Sequence, residues 1–169
     1  AALRNVRLAV STAMKLSAET ARAFAEKFGF DIAQAYGIIE VGLPFINMTP
    51  AERSRGTVGR ILPAYELRLE GADADGVGEV LVRGKGMFDA YFSPWQLRKD
   101  ALDNGWFRTG DLGRLGADGH LEIVGREKNV IICAGMKVFP LEVEQTLNSH
   151  PAVLESLVYG VDHPVYGQT

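Results

Sequence analysis

Four side chains of this sequence have types and surroundings suited to binding: Tyr36, Glu40, Asp111 and Arg126. Asp111 closes the run Trp106-Phe107-Arg108-Thr109-Gly110-Asp111, and the glycine beside it predicts a turn. An ionised carboxylate accepts two hydrogen bonds at once, which matches a vicinal diol. A turn aspartate bonded to its own backbone is the simpler alternative. Arg126 stands in Gly125-Arg126-Glu127-Lys128 after an apolar run. There a guanidinium can offer several donors, or simply form a surface ion pair. Tyr36 and Glu40 belong to Gln34-Ala35-Tyr36-Gly37-Ile38-Ile39-Glu40. The tyrosine ring is flat enough to stack on a base, and the carboxylate offers the hard oxygens that Mg2+ prefers. Taken alone, the same run reads as a strand end with a core tyrosine and a solvated glutamate.

The elements that must carry these residues can be read from periodicity. Val6 to Val10 predicts a buried strand. Ser17 can cap a helix with Glu19 in its first turn, and Ala21, Phe24, Ala25 and Phe28 recur at helical spacing before Gly29. Phe30 to Ala35 predicts the next strand, so the chain opens as an α/β layer. From Gly56 to Gly125 the pattern becomes strand alternation, at 66–70, 79–83 and 121–124, divided by Asp75-Gly76, Asn104-Gly105 and Asp118-Gly119. This predicts a small antiparallel barrel or sandwich. A strand at 130–133, a helix opened by Pro140 and a strand at 153–161 predict the start of an α+β unit.

Other candidates carry less. His120, His150 and His163 lack metal-ligand spacing and predict surface or turn positions. Cys133 lies in an apolar run and predicts an inert core thiol, while Trp95 and Trp106 predict packing residues. The net charge of -3 gives no footprint for nucleic acid or an anionic membrane. No apolar run approaches the roughly 20 residues that span a bilayer, and residues 1–5 lack a signal-peptide core. The single cysteine excludes an internal disulfide and makes a reducing, cytoplasmic setting the expectation. Both ends look cut, which predicts an internal piece of a longer enzyme.

Phe107-Arg108-Thr109-Gly110-Asp111, Gly125-Arg126-Glu127-Lys128 and Ala134-Gly135-Met136-Lys137-Val138-Phe139-Pro140 together resemble the adenylate-forming enzymes. These include acyl- and aryl-CoA synthetases, the adenylation domains of nonribosomal peptide synthetases and beetle luciferases. The resemblance covers nearly the whole chain but only the middle of the family's sequence. It implies that Asp111 and Arg126 hold the ribose, that Tyr36 lies against adenine beside Gly37, and that Glu40 holds Mg2+. Ile39 departs from the family's threonine, whose hydroxyl contacts phosphate. Val10-Ser11-Thr12-Ala13-Met14-Lys15-Leu16 takes the place of a segment reading roughly Ser-Gly-Gly-Ala-Pro-Leu. Thr12 and Ala13 there replace the two glycines that let adenine approach the backbone. Lys128 falls at the family's interdomain hinge. Gly135, Met136 and Lys137 fall on the loop that lines the CoA pantetheine tunnel. Glu142 and Glu144 follow on the next helix, where the dipole alone can explain them. The chain shows neither the family's upstream phosphate loop nor its C-terminal catalytic-lysine segment.

The resemblance implies part of an AMP-forming acid–CoA ligase that uses ATP, Mg2+ and CoA on a small carboxylic acid. The expected organisation is the end of a large α/β layer at 1–55, a β-barrel subdomain at 56–126, and a hinge with the start of a small α+β domain at 127–169. An amino-acid adenylation domain serving a carrier protein and a noncatalytic AMP-binding module are the rival expectations.

Overall fold

The computed structural model describes residues 5–48 and 56–169. The reading of residues 1–4 as lacking a leader, and the boundary expected at 55, fall outside or beside the described residues.

The opening layer keeps the expected strand–helix–strand order, but the buried strand expected over 6–10 forms only at residues 9–11, and Val6, Leu8 and Val10 are exposed. Strand β1 (Ala9–Ser11) leads to helix α1 (Ala18–Phe28) and strand β2 (Ile32–Ile38). The Ser17 hydroxyl accepts a 3.0 Å bond from the Thr20 amide, and Gly29 ends the helix at φ 80°. Strands β1 and β2 are parallel, with Ala9 opposite Ile32 and Ser11 opposite Gln34. Strand β3 (Gly42–Ile46) then folds back antiparallel on β2. Gly37 permits that close return, because a Cβ there would stand 2.1 Å from the Gly42 carbonyl oxygen.

The second sheet contains β4 (Tyr65–Glu70), β5 (Val77–Gly84), β8 (Phe107–Leu115) and β9 (Leu121–Arg126), in that spatial order. Each neighbouring pair is antiparallel. Between β5 and β8 lie the short ribbon β6 (Ala90–Tyr91) and β7 (Gln96–Leu97) and the one-turn helix α2 (Arg98–Ala101). Val80, Val82 and Leu121 of this sheet pack with Val41, Phe45 and Val58, so the core seals the first sheet onto the second. The expected barrel does not close: β4 and β9 each have one ladder partner within this four-stranded sheet. Closure needs the two edge strands to tilt and stagger until they hydrogen-bond each other, and these two do not pair.

A 3-10 turn (Glu127–Asn129) follows β9 and leads into β10 (Ile131–Cys133) and β11 (Met136–Val138). Ala134 and Gly135 join these strands with φ 49° and 82°, the pattern of a two-residue type I′ turn. Helix α3 (Pro140–Asn148) starts on its proline, and β12 (Asp162–His163) and β13 (Gly167–Gln168) complete the sheet order β11-β10-β13-β12. Of the strand expected at 153–161, only Val161 pairs in strand fashion, exchanging two 2.9 Å backbone bonds with Thr169. The stretch before it is held by helix α3 instead: the Val158 amide donates to Glu144 Oε1 at 2.9 Å and the Ser156 hydroxyl donates to the Glu144 carbonyl at 3.3 Å.

Candidate functional site

The site begins with an irregularity in β8. Leu81 pairs with Arg108 and Glu79 with Leu112, so a short step on β5 faces a longer one on β8. Thr109-Gly110-Asp111 there stand against Val80 alone, a bulge inside a strand where the sequence predicted a turn. Gly110 makes it possible with φ 68°. The Thr109 hydroxyl donates to the Val80 carbonyl at 2.7 Å and accepts from the Asp111 amide at 3.0 Å.

Asp111 and Arg126 stand opposite each other across β8 and β9. Arg126 Nε lies 2.9 Å from Asp111 Oδ1, and the Tyr36 hydroxyl donates to Oδ2 at 2.6 Å. The carboxylate is therefore bonded by two side chains from distant strands, which replaces the simpler turn alternative. Asp111 is 3% exposed, and a carboxylate so buried needs such partners. Each oxygen retains a second acceptor position. Burial raises the Tyr36 pKa well above the ordinary phenol value, and the Asp111 charge raises it further. The phenol stays a neutral donor. Its ring also packs on Phe45, with centroids 5.8 Å apart.

These three side chains border a cleft of about 290 Å³, shared with Ala13, Lys15, Gln34, Gly37, Gly125 and Leu141 among others. Ala13 reaches the wall through a left-handed φ of 72°, with the Met14 amide bonded back to the Thr12 carbonyl at 2.9 Å. Thr12 is exposed and lies off the wall. The residues missed by sequence reading are Lys15, Gln34 and Leu141. Gln34 adjoined a recognised motif, while nothing local marked Leu141. Lys15 pairs with Glu122 at 3.3 Å, and Arg114 approaches the same carboxylate at 2.9 Å. Burial pushes the Glu122 pKa up, but the Arg114 hydrogen bond and the Lys15 charge outweigh it and hold the group below the usual range.

Glu40 sits in the turn after β2, half-buried and outside the cleft wall. Its Oε1 accepts a 2.9 Å bond from the Tyr91 hydroxyl. Ile39 beside it is 94% exposed. Lys128 is exposed in the 3-10 turn and borders an adjoining cavity of about 600 Å³ with Glu144 and Tyr159, which shares Gly125, Arg126 and Leu141 with the Asp111 cleft. Gly135, Met136 and Lys137 form the tip and return strand of the β10–β11 hairpin, away from the Asp111 cleft. Lys137 instead pairs with Asp73 at 3.2 Å.

Three bland expectations change. His120 is buried against Asp118, 3.0 Å away, rather than at the surface. Trp95 is 69% exposed, while Trp106 packs under the Arg83 guanidinium as a packing residue should. Cys133 is half-buried rather than core. Among the described residues no group of three or more His, Cys, Asp or Glu side chains could hold a metal, and no helix is long and apolar enough to cross a membrane.

The profile of the family described as AMP-binding enzyme matches residues 1–92, more than half of the chain. The chain belongs to the AMP-binding enzymes. It is 37% identical to a sulfoacetate–CoA ligase of Cupriavidus necator, over 96% of this chain and 33% of that protein. Among solved structures it resembles ATP-bound MatB from Rhodopseudomonas palustris, with a TM-score of 0.83 and 32% identity over 96% of this chain and 34% of that one. It also resembles o-succinylbenzoate CoA synthetase from Bacillus subtilis in complex with its acyl-adenylate intermediate OSB-AMP. There the TM-score is 0.84 with 29% identity, over 98% of this chain and 35% of that one. The acyl-CoA synthetase-like fold of this AMP-binding enzyme is thus shown, and its chain spans about a third of the length of these relatives.

Proposed function

We propose that this chain is part of an AMP-forming acid–CoA ligase and that the Asp111 cleft holds the nucleoside of ATP and then of AMP. The observation that carries the reading is the in-register Asp111–Arg126 pair, joined by Tyr36 at one cleft in a chain whose relatives bear CoA-ligase names. In this reading the second acceptor positions of Asp111 take the vicinal ribose hydroxyls. Arg126 balances the carboxylate charge and donates toward the nucleotide. The Tyr36 hydroxyl fixes the carboxylate, and its ring borders adenine. Gly37 and Ala13 let the base approach the backbone, whereas Thr12, off the wall, takes no part.

Glu40 suits Mg2+, which binds through one or two carboxylates plus substrate phosphates rather than through an all-protein cage. Tyr91 fixes one Glu40 oxygen and the other remains for the cation. When bound, Mg2+ offsets the phosphate charge during displacement. The substrate carboxylate attacks the α-phosphorus and expels pyrophosphate. A thiol then attacks the acyl carbon and expels AMP, a far better leaving group than hydroxide. Lys128 serves as the hinge between these stages, and Gly135, Met136 and Lys137 line the path of CoA. The assigned stretches are 1–55 for the large layer, 56–126 for the second sheet, and 127–169 for the hinge and small unit. The free cysteine fits a cytoplasmic setting.

One observation favours the noncatalytic alternative: Ile39 is almost fully exposed and has no hydroxyl to offer a phosphate. Calorimetric titration with ATP tests the main reading. Asp111→Ala should weaken binding at least about tenfold, since hydrogen bonds to a charged group contribute roughly 1.5–3 kcal/mol each. Unchanged affinity would remove the assignment.

A further inference from the structure

We infer that Glu79 is a positioning residue for the ribose site, its buried carboxylate fixing the β8 bulge that aims Asp111. The inference rests on the reading of Asp111 given above. Glu79 is 6% exposed and lies on β5 directly beside the bulge. Its Oε1 accepts a 3.2 Å bond from the Gly110 amide. Its other oxygen accepts from Arg108, whose guanidinium also reaches Glu70.

The arrangement has a directional consequence. Gly110 has left the regular ladder, so its N–H needs another acceptor, and a buried amide without one costs stability. Glu79 supplies that acceptor. Thr109 is fastened on the other side through the Val80 carbonyl. The bulge is therefore pinned at two successive residues immediately before Asp111. Arg108 holds the Glu79 carboxylate in place and keeps its charge paired. A simple stabilising ion pair would not need the second oxygen on Gly110.

The test compares ATP with 2′,3′-dideoxy-ATP, measuring both dissociation constants by calorimetry on the complete protein. The wild type should favour ATP by at least about tenfold, because only ATP can bond Asp111 through ribose hydroxyls. Glu79→Met with Arg108→Met removes the acceptor without leaving a buried unpaired charge, an exchange that folded proteins tolerate. Its preference should fall below about threefold, with dideoxy affinity unchanged, as the ribose hydrogen bonds are lost. Glu79→Asp keeps a charge for Arg108 but withdraws the oxygen from Gly110, and should give the same loss in an independently folding variant. Glu79→Gln with Arg108→Met restores an amide oxygen to Gly110 and should restore the preference. A lowered melting temperature with the ATP preference intact in the first two variants would overturn the inference. Asp111→Ala runs in parallel. If it abolishes the preference while the Glu79 variants keep it, the ribose site stands and Glu79 has no positioning role. If it too keeps the preference, the ribose reading falls and the Glu79 role falls with it.

Discussion

Tyr36 shows how one proton can tie stability to the site. Its phenol donates to Asp111, and burial followed by the Asp111 charge raises its pKa above the ordinary 10.0. The folded state therefore keeps this proton where the unfolded chain has lost it. The stabilisation is complete below the unfolded pKa and declines as pH rises above it. One such group contributes a slope of up to about 1.4 kcal/mol per pH unit. Urea midpoints followed upward from neutral pH should fall more steeply for the wild type than for Tyr36→Phe once the unfolded phenol ionises. Identical slopes would mean that Tyr36 is not the coupled group. Tyr36→Phe should also weaken ATP binding, because Asp111 loses the donor that orients it. Ala13 offers an opposite residue-scale change. Its φ of 72° is unfavourable for a residue with a Cβ, so Ala13→Gly should relieve about 1 kcal/mol of strain, partly offset by the freer unfolded chain.

Two elements separate fold maintenance from site construction. Helix α1 is capped by Ser17, which does not line the Asp111 cleft, so Ser17→Ala should cost about 1 kcal/mol and leave nucleotide affinity unchanged. The β2–β3 hairpin carries Tyr36 and leads into Glu40. A methyl at Gly37 would meet the Gly42 carbonyl at 2.1 Å, so that strand must shift. Gly37→Ala should cost about 1–3 kcal/mol as overpacking and also weaken ATP binding. Thermal unfolding and calorimetry on both variants test the contrast. Equal effects on affinity would show that the hairpin does not set the site. The β8 bulge was illegible beforehand because Thr109-Gly110-Asp111 has the composition of a turn. Only pairing with β5 on one side and β9 on the other makes it strand.

At the scale of the whole molecule, the cleft proposed for the nucleoside has, among the described residues, no cation assigned to the α-phosphate. Lys15 lies on the wall and is already paired with Glu122, and Lys137 is paired with Asp73. Acid-dependent pyrophosphate exchange with ATP should therefore be absent from the isolated 169-residue chain, over a panel of fatty, aryl and amino acids. Robust exchange would force a search for a phosphate-binding lysine within it. Residues 127–168 contact the second sheet partly through the Lys137–Asp73 pair, which is half exposed on the lysine side and so is a weak tie. The sequence by itself determined the capped helix, the alternating strands at 66–70 and 79–83, and the family motifs around Asp111 and Arg126. Those signals are local, since caps and alternation act between residues a few positions apart. The tertiary structure alone decided that the second sheet stays open, and that the stretch expected as a strand at 153–161 bonds to Glu144 through Ser156 and Val158 and pairs only at Val161. It also decided that Tyr36 meets Asp111 across 75 residues of sequence. Such pairings depend on register and on which buried carboxylate must find a donor, and both are fixed only when distant strands pack together.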